Sequence, residues 1–401
     1  MPHPRAAFQH RDFRLYTGAR FLSIVAHYML AVAVAQAVYE MTRSPLHLGL
    51  IGLTFFLPKI ILVLPAGHLA DRFDRRAIIL ICRSAHFLLT LALVAFFLST
   101  VRPLGFLYFI LSLIGIVLAF DGPAMQSIVP HLVPEEHFSN AVTWNTAAMQ
   151  AALMTGPLLG GWFYALKGPL FVLSVVAFLR FSGIFITYLM QTRTGRLDTA
   201  EFSWKALLGG LHYVFEKKLI LGTISLDLFA VLFGGATALM PIYANDILKV
   251  GPGGLGILRS APFFGAMLMS FILAHAPPLK RSGAAMLFSV ALFGLFTILF
   301  GISTNFIFSL VCLVLLGATD TISVIIRHTL VQLKTPPEMR GRVSAVNLVF
   351  IGASNELGEF ESGLTASWFG IVPSVILGGL ATITVVALWT RWFPEVRRYE
   401  T

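Results

Sequence analysis

Long apolar runs alternate with short polar segments along the chain, from about residue 17 to residue 392. A helix needs about 20 apolar residues to cross the hydrocarbon core of a bilayer. Twelve runs reach that length, which predicts an all-α integral membrane protein with twelve transmembrane helices. The predicted spans are 17–39, 48–70, 77–99, 104–127, 139–166, 168–190, 219–243, 254–275, 283–303, 306–330, 343–368 and 371–392.

The longest polar connection separates six of these runs from the other six. The predicted units are an N-terminal six-helix bundle at 1–190, a cytoplasmic linker at 191–218 and a C-terminal six-helix bundle at 219–401. Apolar residues at helical spacing over 202–215 predict an amphipathic linker helix on the inner membrane surface. The halves also echo each other, since Pro134-Glu135 follows the fourth run and Pro337-Glu338 follows the tenth. Such a repeat favours two pseudo-symmetric bundles with a site between them.

Charge sets the orientation of the predicted spans. Only 12% of the residues are charged, against roughly a quarter in soluble domains, which excludes an ordinary soluble class. With both termini inside, few basic residues fall in external loops, and these are Arg43, Arg102, Lys167 and Lys249. Basic residues are retained on the cytoplasmic side during insertion. We therefore expect a multi-pass protein of the bacterial inner membrane with cytoplasmic termini, whose net charge of +10 indicates no nucleic-acid partner.

The loop after the second run, GHLADRFDRR, carries the most specific local signal. Gly67 there predicts close approach of two helices. Asp71 is a carboxylate placed to accept from a helix N-terminus or an arginine. Arg72, Arg75 and Arg76 hold the loop inside and offer partners to acids on neighbouring helices.

This stretch resembles the G-x-L-a-D-r-x-G-r-k loop of the major facilitator superfamily, with Asp74 where glycine is usual. With the twelve spans, the central linker and the half-chain echo, the resemblance covers essentially the whole chain. It implies that the loop is a gating latch in which an arginine pairs with an acid on the fourth helix. Asp121 is the natural acid here, either as partner of Arg75 or, equally, as a proton carrier.

The fifth run contains AALMTGPLLGG, which resembles the G-x-x-x-G-P-x-x-G-G motif associated with antiporters, although Ala152 replaces its first glycine. Pro157 removes a backbone donor and bends the helix, while Gly156, Gly160 and Gly161 permit tight packing. A packing kink with no bearing on transport direction is nearly as good an interpretation. A narrower resemblance, through GHLADRFDRRAIILICR and TPPEMRGRVSAVN among other stretches, is to the branch that contains the enterobactin exporter and macrolide efflux proteins.

NELGEFESG, in the eleventh run, places glutamates where the bilayer is expected. A charge there costs at least about 2.5–3.5 kcal/mol, so each must be paired, hydrated or protonated. Helical geometry stacks Asn355 and Glu359 on one face, with Glu356 beside them and Glu361 pointing away. We hypothesise that Glu359 and Glu356 couple transport to protons, and the alternative is that one or two of these glutamates cap the latch or bridge helices. Two further proton-coupling candidates lie in the seventh and tenth spans, Asp227 and Asp320.

Basic groups within the spans are candidates for the substrate cavity. Together with Asn355 they are Arg20, His27, Lys59, Arg259 and Arg327, while Arg180 is a further interior cation. Arg20 and Arg327 lie near the inner ends of their spans, where we expect their side chains to snorkel to water.

Enzyme motifs are weak in this sequence. GPGGLG, at 251–256, fits a dinucleotide-binding pattern but precedes a membrane span, so we interpret it as a flexible external turn. We predict no cofactor, no metal and no ATP. The leading hypothesis is a monomeric secondary transporter that exports a siderophore-like or drug-like amphiphile by alternating access and proton antiport. Its rivals are a facilitator or transporter of lysolipid-like or other metabolites, and a membrane receptor that moves nothing.

Overall fold

A computed structural model describes residues 5–194, 204–277 and 280–400, and these residues form helices joined by turns, with no strand among them. The all-α class is therefore confirmed. The helices are α1 (Arg11–Thr42), α2 (Pro45–Arg72), α3 (Arg75–Leu98), α4 (Leu104–Ser127), α5 (Glu135–Tyr188), α6 (Trp204–Glu216), α7 (Lys218–Phe233), α8 (Met240–Ile242), α9 (Gly251–His275), α10 (Ser282–Ile302), α11 (Phe306–Lys334), α12 (Pro337–Phe369), α13 (Ile371–Trp392) and α14 (Pro394–Arg397).

Each predicted span coincides with helical structure, although the seventh is interrupted. Ten stretches of the described residues are helices long and apolar enough to cross a membrane. One of them, α5, holds two predicted spans, because Lys167 and Gly168 leave helical geometry between them. Gly168 has a φ of 71°, which a residue with a side chain rarely adopts. The glutamates of α12 dilute its apolar character, so it is not among the ten although it matches the eleventh span.

The seventh span is broken, whereas the sequence predicted one helix over 219–243. α7 ends at Phe233, and a 3-10 turn, α8 and a π-helical turn then carry the chain to Ile247. Gly234 and Gly235 form the break. A Cβ atom added to Gly235 would lie 2.8 Å from the carbonyl carbon of Gly358 in α12. The absence of a side chain thus lets the two backbones meet where α7 stops.

The linker helix α6 matches the helix predicted over 202–215. Val214 is fully buried and packs in one cluster with Val343 and Val346 of α12. A Cβ atom on Gly210 would lie 2.9 Å from the carbonyl oxygen of Arg342. Part of the apolar face of α6 therefore packs against protein rather than facing lipid. The position of α6 on the membrane surface stays a prediction.

The chain falls into two compact units. Unit 1 comprises 1–37, 54–201 and 251–260, and unit 2 comprises 38–53, 202–250 and 261–401. Close glycine contacts explain why two short segments group away from their own half of the sequence. A Cβ atom on Gly161 would lie 2.6 Å from the Cα atom of Gly256, inside unit 1, and one on Gly363 would lie 2.7 Å from the Cα atom of Gly49, inside unit 2. The predicted boundaries at 190 and 218 remain a prediction.

Candidate functional site

Unit 1 buries an arginine that the sequence analysis did not single out. Arg83 lies in the third turn of α3 and is 4% exposed. Its guanidinium donates to the carbonyl oxygen of Gly183 at 3.0 Å and to the hydroxyl of Thr187, both in the second arm of α5. Its Nε atom is buried and has no hydrogen-bond partner. A buried guanidinium with an unused donor can take a further acceptor.

A second buried arginine, Arg180, comes from the same arm of α5. It is 6% exposed and donates to the backbone carbonyl of His86 at 2.7 Å. The imidazole of His86 is also buried, and its Nδ1 atom has no hydrogen-bond partner. A small cavity with a volume of about 10 Å³ lies here, lined by Ser23, Arg83, His86, Leu179, Arg180 and Gly183.

The buried carboxylate of Asp121, in α4, interacts electrostatically with these arginines. Arg83, Arg180 and Arg20 are the cations close enough to act on it. Yet its buried Oδ1 atom has no hydrogen-bond partner. Arg20 instead donates to the hydroxyl of Tyr16 at 3.3 Å, and Tyr16 donates to the carbonyl oxygen of Met125 at 2.6 Å. Arg20 is therefore tied inside unit 1 by hydrogen bonds, in addition to any snorkelling of its charge.

Two other predicted cavity residues, His27 and Lys59, also lie in unit 1. His27 packs edge to face with Tyr28, at 5.4 Å between ring centroids, and with Phe55 at 6.3 Å. The ammonium group of Lys59 lies close enough to the imidazole of His27 to interact with it electrostatically. Arg259, in the third turn of α9, also groups with unit 1. The structure thus places four of the six predicted cavity residues in this unit.

Unit 2 holds a buried ion pair. Arg327 of α11 pairs with the carboxylate of Asp227 in α7, and the two side chains are 2% and 8% exposed. The expectation that Arg327 snorkels to water is therefore wrong, because its charge is neutralised inside the protein. Asp320 lies two turns before Arg327 on α11. Its carboxyl group interacts electrostatically with both Asp227 and Arg327.

The glutamates of α12 lie against small residues of α2. A Cβ atom on Gly52 would lie 3.0 Å from the carbonyl oxygen of Glu356 and 3.1 Å from the Oε2 atom of Glu359. Thr237, just after the break that follows α7, donates to the Oε1 atom of Glu359 at 3.4 Å. Glu359 therefore lies at a contact between α2, α12 and the broken seventh span.

The remaining polar residues of this stretch of α12 form hydrogen bonds within their own helix. Asn355 donates to the carbonyl oxygen of Ile351 at 2.9 Å, a bond within its own helix. The backbone carbonyl of Glu361 accepts from Thr365 at 2.9 Å. Asn355 thus stabilises its own turn, and its predicted role in the cavity has no contact in support.

The glycines of the fifth span lie at helix contacts. A Cβ atom on Gly156 would lie 2.7 Å from the Cβ atom of Tyr28, and one on Gly160 would lie 2.9 Å from the Cα atom of Met29, so both face α1. Gly161 faces Gly256 in α9. Pro157 lies in continuous helix, since the non-helical residues of α5 are Lys167 and Gly168.

The sequence of residues 3–400 matches the family of transmembrane secretion effectors within the major facilitator superfamily. The chain belongs to this family. It is therefore a membrane transporter rather than an enzyme.

This secretion effector is similar to curated exporters along nearly its whole length. It is 27% identical over 400 residues to the enterobactin exporter EntS of Shigella dysenteriae serotype 1 (strain Sd197), covering 94% of this chain and 93% of the relative. The same figures hold for the enterobactin exporter of Escherichia coli O1:K1 / APEC. The resemblance to the enterobactin exporter branch is thereby confirmed.

Solved transporters share the fold of this secretion effector. A POT family transporter in complex with a thioalcohol-conjugated peptide aligns with a TM-score of 0.77 at 12% identity, covering 96% of each chain. A bacterial homologue of the human lysosomal transporter Spinster aligns with a TM-score of 0.72 at 15% identity, covering 98% of this chain and 99% of the other. At these identities the likeness shows the major facilitator fold alone.

In the predicted latch of the secretion effector, Arg75 has partners other than the predicted Asp121. Arg75 is 4% exposed and bonds to the hydroxyl of Ser127 and to the Nε2 atom of His131, both at 3.0 Å. In the described residues Arg75 and Asp121 form no ion pair, so the predicted pairing is wrong. Ser127 lies six residues beyond Asp121, about 9 Å along the helix axis, which leaves Asp121 too deep for Arg75.

Asp74, the departure from the usual glycine of the loop motif, has a structural use that the sequence did not reveal. It is the N-cap of α3 and accepts from the backbone N–H of Arg76 at 3.3 Å. It also accepts from the N–H and hydroxyl of Thr194, each at 3.1 Å. A carboxylate at an N-cap stabilises the helix start. Here it also ties down the beginning of the linker.

The other latch residues carry fewer contacts. Arg76 donates to the carbonyl oxygen of Tyr188 at 2.6 Å. Arg72 ends α2 and is exposed. A Cβ atom on Gly67 would meet nothing within 4 Å, so the predicted close helix approach at Gly67 is wrong. The side chain of Asp71 lies outside the described residues.

Proposed function

We propose that this secretion effector exports a siderophore-like or drug-like amphiphilic small molecule from the cytoplasm by alternating access, in exchange for protons. The export of an amphiphile is supported by the 27% identity to enterobactin exporters over 94% of the chain. The chain acts as a monomer in the bacterial inner membrane with both termini in the cytoplasm.

Glu359 carries the proposal of proton exchange. Its carboxylate lies on the glycine surface of α2, beside the hydroxyl of Thr237. A charged carboxylate incurs a large desolvation penalty when helices close around it, and a protonated carboxyl group incurs a much smaller one. Proton binding at Glu359 therefore favours a tight contact between α2 and α12, and proton release favours a looser one. This dependence couples a proton to helix packing.

The other acids of unit 2 fit a supporting role. Asp227 already neutralises Arg327, so protonating it would leave a buried cation unpaired. Asp320 interacts electrostatically with both members of that pair, and its own negative charge adds to the stabilisation of Arg327. Glu356, whose backbone lies on the same glycine surface, adds a second negative charge near Glu359 and makes proton binding there easier.

Reconstituted proteoliposomes test this proposal with enterobactin as the probe cargo. In inside-out orientation an acidic lumen should drive enterobactin uptake, and dissipating the gradient should reduce uptake to passive exchange. Glu359→Gln keeps the size of the side chain but cannot release a proton, so it should retain counterflow and lose the response to the gradient. Glu361→Gln, on the same helix two residues away, is the matched control and should keep that response.

Other outcomes of the same assay would overturn parts of the proposal. A full gradient response in Glu359→Gln removes the coupling role of Glu359. Exchange of cargo that ignores the gradient in the unaltered protein indicates a facilitator. Saturable binding without any flux indicates a receptor.

A further inference from the structure

The interior of unit 1 carries more positive than negative charge. In its described helices the arginines Arg83 and Arg180 are each more than nine-tenths buried, and Arg20 interacts electrostatically, as they do, with the buried carboxylate of Asp121. The backbone carbonyls that accept from Arg83 and Arg180 supply partial rather than full negative charge. An uncompensated buried charge costs several kcal/mol. The cluster therefore favours an additional anion.

Donors for such an anion lie around the small cavity. Arg83 and His86 both line this cavity. The Nε atom of Arg83 and the Nδ1 atom of His86 are buried and have no hydrogen-bond partner, and Nδ1 donates when it carries the ring proton. Ser23 adds a hydroxyl to the lining, and Gly183 leaves room beside the guanidinium of Arg83, which lies 3.6 Å from where a Cβ atom of Gly183 would be. Two guanidiniums beside a hydroxyl are a set of donors suited to a carboxylate, a halide or a similar acceptor.

Size restricts what the cavity can hold. The volume open to water-sized groups in it is about 10 Å³. Pockets that enclose a drug-sized ligand measure roughly 300–1,000 Å³, so a whole amphiphile does not fit. A single ion or one anionic group does.

We propose that the cavity between Arg83 and Arg180 binds one anionic group, either a free inorganic anion such as chloride or the acidic end of an amphiphilic cargo. The free-ion source is independent of the export function, whereas the cargo source rests on it. In both cases the anion supplies the negative charge that Asp121 alone does not, and it holds α3 to the second arm of α5.

Thermal unfolding of the purified full-length protein tests the site without any gradient or cargo. The Tm is measured in detergent as chloride replaces gluconate at constant ionic strength, and a parallel series uses benzoate. The expected result is a saturable rise in Tm with chloride or benzoate. In Arg180→Gln the half-saturating concentration should rise about tenfold or more, since a charge-assisted hydrogen bond is lost.

Two further variants keep the test decisive. Ser23→Leu fills the cavity with apolar bulk and leaves both arginines in place, so it should abolish the saturable rise even if Arg180→Gln does not fold. Arg102→Gln removes an exposed arginine of an external loop and should respond like the unaltered protein. The absence of any saturable rise in the unaltered protein overturns the proposal. So does an undiminished rise in Ser23→Leu.

Competition then separates the two sources. If the site serves cargo, benzoate and enterobactin should each raise the half-saturating concentration of chloride. If it serves a free ion, chloride should stabilise the protein and enterobactin should leave its half-saturating concentration unchanged. A protein that transports nothing would still show the chloride response, so failure of the export proposal is recognisable on its own.

Discussion

Unit 1 surrounds its interior carboxylate Asp121 with arginines, whereas unit 2 sets its buried Arg327 among carboxylates. In unit 2 the buried arginine is matched directly by Asp227. In unit 1 the buried Oδ1 atom of Asp121 has no hydrogen-bond partner. Halves that echo each other in sequence have thus diverged in the sign of their buried charge. The basic interior suits anions, and the acidic interior suits protons.

The largest effect is expected from breaking the ion pair of unit 2. Arg327→Met should destabilise the protein by about 3–5 kcal/mol, because Asp227 would stay buried without its cation. Unfolding in mixed micelles with increasing dodecyl sulfate measures the loss. The double variant Asp227→Leu with Arg327→Met should recover most of it, and a double variant as unstable as the single one would contradict the role of pairing.

A substitution that adds volume without changing charge shows how much stability depends on packing alone. Gly161→Ala should cost about 1–3 kcal/mol, since its new methyl group would meet the backbone of Gly256. This loss should be the same in chloride and in gluconate. Gly18→Ala is the control, because a Cβ atom at Gly18 meets nothing within 4 Å. Equal stability of the two variants would show that the contact between α5 and α9 is loose.

Removal of the acid from unit 1 should have a moderate effect. Asp121→Asn should destabilise the protein by about 1–2 kcal/mol in gluconate, because the arginines around it lose an attractive charge. Chloride should restore part of the loss if an anion can substitute for the carboxylate. Urea-free thermal unfolding in the two salts measures both values. A more stable variant would show that Asp121 is itself the strained group.

The smallest effect is expected at an exposed pair in unit 2. Arg43 lies 3.7 Å from Asp246, and the two side chains are 64% and 49% exposed. Arg43→Gln should cost less than about 1 kcal/mol, and added salt should reduce the difference further. A loss as large as that of Arg327→Met would show that burial is not what separates the two pairs.

Hydropathy alone located every membrane helix, because a bilayer imposes one length on an apolar run. It also located the turn inside α5, where the fifth predicted span ends at 166. It missed the break at Gly234 and Gly235, since apolar residues continue on both sides, although a Gly-Gly pair was an available signal. It was wrong about GPGGLG, which forms the first turns of α9.

Site residues were harder to predict than helices. Arg83 lies near the end of its span that follows the GHLADRFDRR loop, so charge counting grouped it with that loop instead of with the interior. Sequence spacing gives the depth of a side chain but not its partner. For that reason the pairing of Arg327 with Asp227 on another helix and the capping by Asp74 emerged only from the coordinates.

The interruption after α7 has a consequence for how this span moves. Regular helices share strain along an unbroken ladder of hydrogen bonds, whereas a span made of short unlike turns concentrates bending at its joints. Amide hydrogens between Gly234 and Ile247 should therefore exchange with deuterium sooner than those of α7 itself. The portion of the span after Gly235 can tilt while the portion before Gly234 stays anchored by Asp227.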